Sequence, residues 1–548
     1  QKAPEYNVRK IYMDAFRQVT AVNGQSYPDV TKAINERINE GCLIFNFTGH
    51  GNEAYLAHER IVRTEDYMSW KNGGRLPLFI TATCEFSRFD DIEMNVLGNI
   101  SEKTSAGEMI LLAPEGGAIA LMSTTRVVFS APNFFLNRNI FSCAFERDSA
   151  GNSMTLGDII RIAKNNSGSG SNKRNFSLLG DPALKLAYPW HGKVLTDSIN
   201  HVGIASGTDS LKALSMVTVS GHIEDTRGKP ASDFNGIVSP LVYDKESTIR
   251  TLGNDGGPVM EFKLRNNIIF SGQTKAKNGN FTFSFIVPRD IDYAFGKGKI
   301  SYYAHDDARD MNGSFSDVIV GGFSDAASAD TSGPVIRLFM NDTLFRSGGM
   351  TDKNPVLLAL IEDAGGINVT GSGIGHDLTG YLDDERNQSV VLNDNYINDF
   401  DDYKNGRVVY SLSELSEGTH SFTIKAWDNY NNSTQETISF VVESGGRFIL
   451  KNLFNYPNPF IGSTTITGEL NNHDEQLEIT LDVFTLNGKV IKTLKTEIIP
   501  AGYVLPPMEW DGTNNDGARV AKGMYIYVVT VKTGKGETSR ASGKMIIL

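Results

Sequence analysis

The chain has 548 residues, too many for a single hydrophobic core, so its length suggests three or four domains. A formal net charge of -12 and the absence of basic runs leave nothing to displace counterions from phosphates, which argues against nucleic acid and anionic membrane as direct partners. With only Cys42, Cys84 and Cys143 there is no disulfide framework, and no CxxC or His/Cys cluster points to zinc.

The chain begins at Gln1, without Met or signal sequence, which reads as a piece of a longer, processed protein. KIYMDAF (10–16) reads as a short strand. YPDVTKAINERINEG (27–41) spaces Val30, Ala33, Ile34 and Ile38 helically and stops at Gly41. LIFNFTGH (43–50) and LPLFITATC (76–84) are apolar runs of strand length, each ending in small residues before a reactive side chain. Between them, 63–74 carries Thr64 at an N-cap, Glu65 and Asp66 in the first turn, and Gly73 and Gly74 at its end, which completes a βαβ unit. No apolar run reaches the roughly 20 residues a membrane span needs. The stretch 109–122 is interrupted by Pro114, Gly116 and Gly117. AIALMST (118–124) is a further buried strand and TLGDIIRIAKNN (155–166) a further helix. A polar loop follows at 164–175, and LLGDPAL turns into a last strand, ALKLAY (183–188). The alternation predicts an α/β layer with a mainly parallel sheet.

Parallel neighbouring strands would bring His50 and Cys84 to the carboxyl edge of that sheet, where ligands bind in open α/β folds. A free thiol is only a few per cent thiolate at neutral pH, and a nearby imidazole that takes its proton makes it a nucleophile. Gly49 and Gly51 would let a substrate approach the backbone, with the Gly51 and Cys84 N–H groups placed as oxyanion donors. Taken singly, a Cys or a His is ordinarily a core residue; the paired strand-end setting favours chemistry. Glu53, Glu85, Arg88 and Asp90, with Asp91, crowd the same edge, either as substrate or acceptor contacts or as surface charges paired with one another. Thr124, Thr125 and Arg126 end the next strand and could line that edge too. Cys42 and Cys143 lie in apolar surroundings, as small core residues.

NFTGHGNE (46–53), ITATCEFSRFDD (80–91) and FSLLGDPAL (176–184) resemble the gingipain-type cysteine peptidases, relatives of caspases, and within them the sortase of the bacterial type IX secretion system. The resemblance implies that His50 and Cys84 are the catalytic dyad and that the Gly51 and Cys84 amides form the oxyanion hole. It implies cleavage of the C-terminal signal of secreted cargo and transfer of that cargo to an amine-bearing lipopolysaccharide. It also implies a β-barrel docking protein and a place at the cell surface, on the outer membrane. The family's acidic residue that orients the histidine does not map onto Asp14 and is expected before Gln1.

After about residue 190 helical periodicity disappears. MVTVSGHIED (216–225), NGNFTFSFIVP (278–288) and GKISYYAHDD (298–307) are strands of a module spanning 191–323. VIRLFMN (335–341), PVLLALIED (355–363) and HSFTIKAWDNYNN (420–432) belong to one spanning 324–444, and both read as immunoglobulin-like sandwiches. The Asp and Asn clusters at 302–313 and 424–433 could hold calcium, but they lack EF-hand spacing and read as turn formers; no cofactor is expected. The glycine-rich stretch 365–378 contains His376 but no accompanying nucleophile, so it reads as a loop. After a short linker at 444–446, residues 445–548 form a last β module. Its YPNPF and GMYIY motifs resemble type IX secretion-signal domains and flagellar hook-cap immunoglobulin folds.

The fold expected is therefore a multidomain one, a gingipain-like α/β domain at 1–190 followed by three β-sandwich modules. Two rivals to the sortase remain: a secreted gingipain-like endopeptidase that is itself type IX cargo, and a non-enzymatic surface adhesin.

Overall fold

Three of the apolar runs do pair side by side. In a computed structural model of the chain, Ile44–Thr48 (β1), Leu78–Ala82 (β2) and Ala120–Thr124 (β3) are parallel neighbours, and Phe176–Leu179 (β4) closes the sheet antiparallel to β3. The residues described are 3–22, 24–94, 100–148, 151–207, 209–325, 329–371, 375–443, 450–470, 476–500 and 503–548. The linker expected at 444–446 lies outside them.

Strand alternation divides this sheet into two faces. On one face Phe79 and Leu121 pack with Val30, Ile34 and Ile38 of Pro28–Glu40 (α1), Tyr67 of Thr64–Ser69 (α2) and Ile110 of Ala106–Leu112 (α3). On the other, Leu78, Ile80, Ala82, Ala120 and Met122 meet Leu136 and Ile140 of Ser130–Ala144 (α4), and Ile159 and Ile160 of Leu156–Asn165 (α5). Both faces of β2 are buried, as a parallel strand requires.

Several local expectations change. KIYMDAF is not a strand: Met13–Ala15 form a 3-10 turn. The helix expected through Gly74 stops at Ser69, because Trp70 is buried and the Asn72 side chain turns to Gly117, accepting from its N–H at 2.8 Å and donating to its carbonyl at 3.0 Å. ALKLAY is not a strand either; FSLL just before it pairs with β3, and Asp181–Pro182 turns the chain away.

The compact unit built on this sheet comprises 1–191 together with 246–265, a segment that sequence assigned to the second module. In this arm Ser247–Arg250 (β5) and Glu261–Leu264 (β6) form a hairpin. The Asp14 carboxylate accepts from the N–H groups of Asn254 (2.7 Å) and Gly253 (3.1 Å), and Tyr12 sits edge-on to Phe262 at 4.7 Å.

Among the described residues the other compact unit, 192–245 with 266–548, is built of β-strands with a few short 3-10 turns and has three successive cores. Among the described residues their sheets have nine and three strands, four and five strands, and three and four strands, in chain order.

Candidate active site

The register of β1 on β2 places His50 and Cys84. Thr48 pairs with Ala82, and the Gly49 N–H continues the ladder onto the Ala82 carbonyl at 3.3 Å. His50 and Cys84 each lie two residues beyond that pair, at the same carboxyl edge. Gly51 is needed for close approach: a Cβ there would stand 2.6 Å from Thr83 Oγ1. The turn after His50 closes through Ala57 N–H to His50 O (2.8 Å) and Asn52 N–H to Tyr55 O (3.2 Å). These bonds flank the Gly51–Leu56 bridge, and among the described residues the Gly51 N–H donates to no backbone carbonyl outside regular elements.

Cys84 sits on a sharp bend. Glu85, immediately after Cys84, has φ of 53°, a left-handed conformation unfavourable to a non-glycine residue. The bend is held by Ser87 N–H to Thr124 O at 2.9 Å and by Gly107 N–H to Phe86 O at 2.9 Å. The helix donating the second of these bonds also holds the histidine turn, through Ala106 N–H to Glu53 O at 2.7 Å. Two first-turn amides of α3, groups with no partner inside the helix, thus tie the His50 and Cys84 loops to one another. Sequence reading passed over this helix, although Ser105 and Glu108 form a capping box that marks its start.

Cys84 is half-buried, and its Sγ lies 3.7 Å from the Val128 carbonyl. His50 is exposed and packs its ring 4.9 Å from that of His58. Among the described residues the His50 and Cys84 side chains are not hydrogen-bonded to each other. Cys42 is a different thiol: burial pushes it up to about 11, which keeps it protonated and inert at neutral pH.

The charged rim is paired. Glu53 accepts from Lys103 Nζ at 2.8 Å, which holds its carboxyl below the usual range. Arg88 lies 3.1 Å from Glu85 and 3.4 Å from Asp91. Arg126 forks onto Asp90 at 2.8 and 2.5 Å and holds that carboxyl low. Glu53, Glu85, Arg88 and Asp90, the expected substrate or acceptor contacts, therefore all stand in ion pairs. Asp14 anchors the arm, with its carboxyl lowered chiefly by the Thr251 hydroxyl and also by the Asn254 and Gly253 amides.

Outside the catalytic unit the Asp and Asn clusters largely satisfy themselves. Asp306 accepts from the Ala308 and Arg309 amides, and Asp428 from those of Tyr430 and Asn432. Asp330, Asp363 and Asp428 bring carboxylate oxygens within 4.8 Å of one another, and burial first, then the two neighbouring charges, pushes Asp363 up to about 6. His376 is engaged with Asp290 at 2.7 Å and packs on Trp427.

Residues 1–187 match the model of peptidase family C25, and 457–535 that of the FlgD Ig-like domain. The chain is similar to dimeric latent PorU from Porphyromonas gingivalis, at 28% identity and a TM-score of 0.32, over 82% of this chain and 42% of that one. It thus spans less than half the length of that relative. Gingipain R (RgpB) is similar at 14% identity, with a TM-score of 0.26, over 52% of this chain and 56% of that one. No curated protein matches. Residues 1–187 are a cysteine-peptidase domain of family C25.

Proposed function

We propose that this chain is a cell-surface sortase in which Cys84 is the nucleophile and His50 the general base. The observation that carries the dyad is the parallel register, which sets both residues two positions beyond the Thr48–Ala82 pair. In the reaction His50 takes the thiol proton, and the sulfur attacks the scissile carbonyl while the Gly51 and Cys84 amides face the developing oxyanion. The C–N bond then breaks, His50 gives its proton to the departing amine, and a thioester remains. An acceptor amine attacks the thioester, His50 takes a proton from it, and the thiol is released with an amide as product.

The wider reading rests on the motifs of 46–53, 80–91 and 176–184. By their resemblance the substrate is secreted cargo bearing a C-terminal signal domain, the acceptor an amine-bearing lipopolysaccharide, and the docking partner an outer-membrane β-barrel. The FlgD Ig-like module would then be retained as a docking element at the cell surface. Water competes at about 55 M, but oriented groups reach effective molarities of about 10⁵ M or more, so a held amine can win. Hydrolysis by a gingipain-like endopeptidase is the second reading, favoured by the exposure of His50, which leaves the thioester open to water. Incubating the chain with a cargo-tail peptide and rising amine-sugar concentration should divert product from free acid to conjugate. Product that stays entirely hydrolytic at saturating amine assigns the protein to the hydrolases.

A further inference from the structure

The His50 imidazole makes no hydrogen bond among the described residues. Its one ring neighbour there is His58, with centroids 4.9 Å apart and ring planes 37° from parallel. A base that turns freely spends little time aimed at the thiol, so a catalytic imidazole needs a neighbour that sets its plane.

His58 is presented by a rigid tip rather than by a loose surface loop. Leu56, Ile61 and Val62, on either side of it, are buried in the core that covers the α1 face of the sheet. The chain between them is closed by Leu56 N–H to Val62 O at 3.1 Å, Ile61 N–H to Leu56 O at 3.0 Å and Arg60 N–H to Ala57 O at 3.2 Å. So tight a closure puts two non-glycine residues into left-handed backbone, Ala57 at φ 61° and Arg60 at φ 55°. Such a conformation costs these residues free energy and persists only where the surroundings over-determine it. The Ala57 N–H, on the His50 carbonyl at 2.8 Å, then ties the tip to the residue that His58 faces. An exposed histidine on a loop tip is ordinarily solvated and idle. Here the strained backbone, the bond to His50 and the ring contact all converge on one neighbour.

We propose that His58 is a positioning residue for His50. Its ring is the platform on which the imidazole of the base stacks, and the platform fixes the plane in which that base meets Cys84. The separation lies within the roughly 4.5–7 Å range of aromatic pairs. As a positioning residue for catalysis it rests on the dyad reading above. His58 exchanges no proton in this role, because the thiol proton passes between Cys84 and His50 alone. Stacking needs a flat ring and not an imidazole, so phenylalanine should serve in place of His58 and alanine should not.

Two readouts on the full chain test this. Carbon-13 labelling of the histidine rings gives nine signals, and those of His50 and His58 are identified by their loss in His50→Ala and His58→Ala. A nuclear Overhauser effect should connect the two rings. In His58→Ala the His50 signal should shift and narrow as the ring gains freedom, and in His58→Phe it should keep the width it has in the unsubstituted chain. With a cargo-tail peptide, His58→Ala should lower kcat about tenfold while KM changes by less than about twofold, and His58→Phe should recover kcat to within about threefold. Equal melting temperatures would show that the tip still folds in both variants. A His50 signal unmoved by His58→Ala overturns the proposal whether or not the chain cleaves peptide. Turnover by His58→Ala at the unsubstituted rate, or His58→Phe no better than His58→Ala, overturns it as well. The expected spectra from a chain that forms no acyl-enzyme would instead refute the dyad reading and bear out the ring platform.

Discussion

Cys84 directs its thiol at the carbonyl of Val128, 3.7 Å from Sγ, and not at the imidazole of His50. An S–H···O contact is weak, so rotation about the Cys84 side chain toward the base costs little. The strap bearing Val128 is clamped by Asn172 and Asn175, which makes it a fixed wall beside Cys84. Substrate is then expected to enter over the sheet edge, between that wall and the turn carrying His50.

Gly51→Ala tests the edge itself. The added methyl would meet Thr83 Oγ1 at 2.6 Å and push the histidine turn off β2. Peptide cleavage should fall about 10- to 100-fold, since small displacements of a catalytic group are expensive, while circular dichroism stays unchanged. Undiminished cleavage would mean that the turn is not held to this tolerance.

Ala106→Pro removes one hydrogen bond from the tie between the two loops. Ala106 opens α3, where proline is tolerated, and Ser105 before it is already extended with ψ of 159°. The substitution deletes only the donor to Glu53 O. A loss of about 1 kcal/mol in loop positioning would lower kcat by roughly fivefold with little change in melting temperature. Kinetics and a thermal melt check both halves of that expectation.

Asp14 gives the catalytic unit a pH dependence. Its carboxyl is held below the ordinary 3.8 by the Thr251 hydroxyl and two amides of the arm. A depressed carboxylate contributes stability that is present above its unfolded value and lost as pH falls through the folded one. Asp14→Ala should destabilise the catalytic unit by about 1 kcal/mol at pH 7, a figure discounted for exposure, with the difference fading below about pH 4. Hydrogen exchange over 246–265 would read this directly, and equal exchange in both proteins at pH 7 would refute it.

Asp363 has the opposite sign. Raised to about 6 from 3.8, it binds more protons folded than unfolded between those values. Stability there falls as pH rises and levels off above about 6. Asp363→Asn should therefore stabilise the β unit at pH 7 by about 1–2 kcal/mol in buffer free of divalent cations, and the gain should shrink as pH is lowered through 6. A melting-temperature difference independent of pH would contradict this.

The strands of the site were legible because apolar runs such as LPLFITATC, bounded by polar segments and buried on both sheet faces, have few other uses. Helix α1 announced itself through Val30, Ile34 and Ile38. Helix α4 did not, because its buried face includes Asn133 and Asn137, polar residues that break the apolar period and are engaged by Asn172 and Thr48. The arm at 246–265 was assigned to the β module because its strands look like any hairpin; only tertiary contacts to Asp14 and Tyr12 reveal where it belongs. Positions that depend on register or on a bend, such as the left-handed Glu85, cannot be read from residue identity.

The most direct test of the account is the acyl-enzyme. Mixing the full chain with a cargo-tail peptide and quenching in acid should add the mass of the amino-terminal acyl fragment to the protein, released by hydroxylamine and mapped by digestion to Cys84. Cys84→Ala and His50→Ala should each form no adduct and lose activity by about 10³-fold or more while remaining folded, because the two act as a unit. An adduct on Cys42 or Cys143, or cleavage by Cys84→Ala at the rate of the unsubstituted chain, would contradict the assignment of Cys84 as the nucleophile.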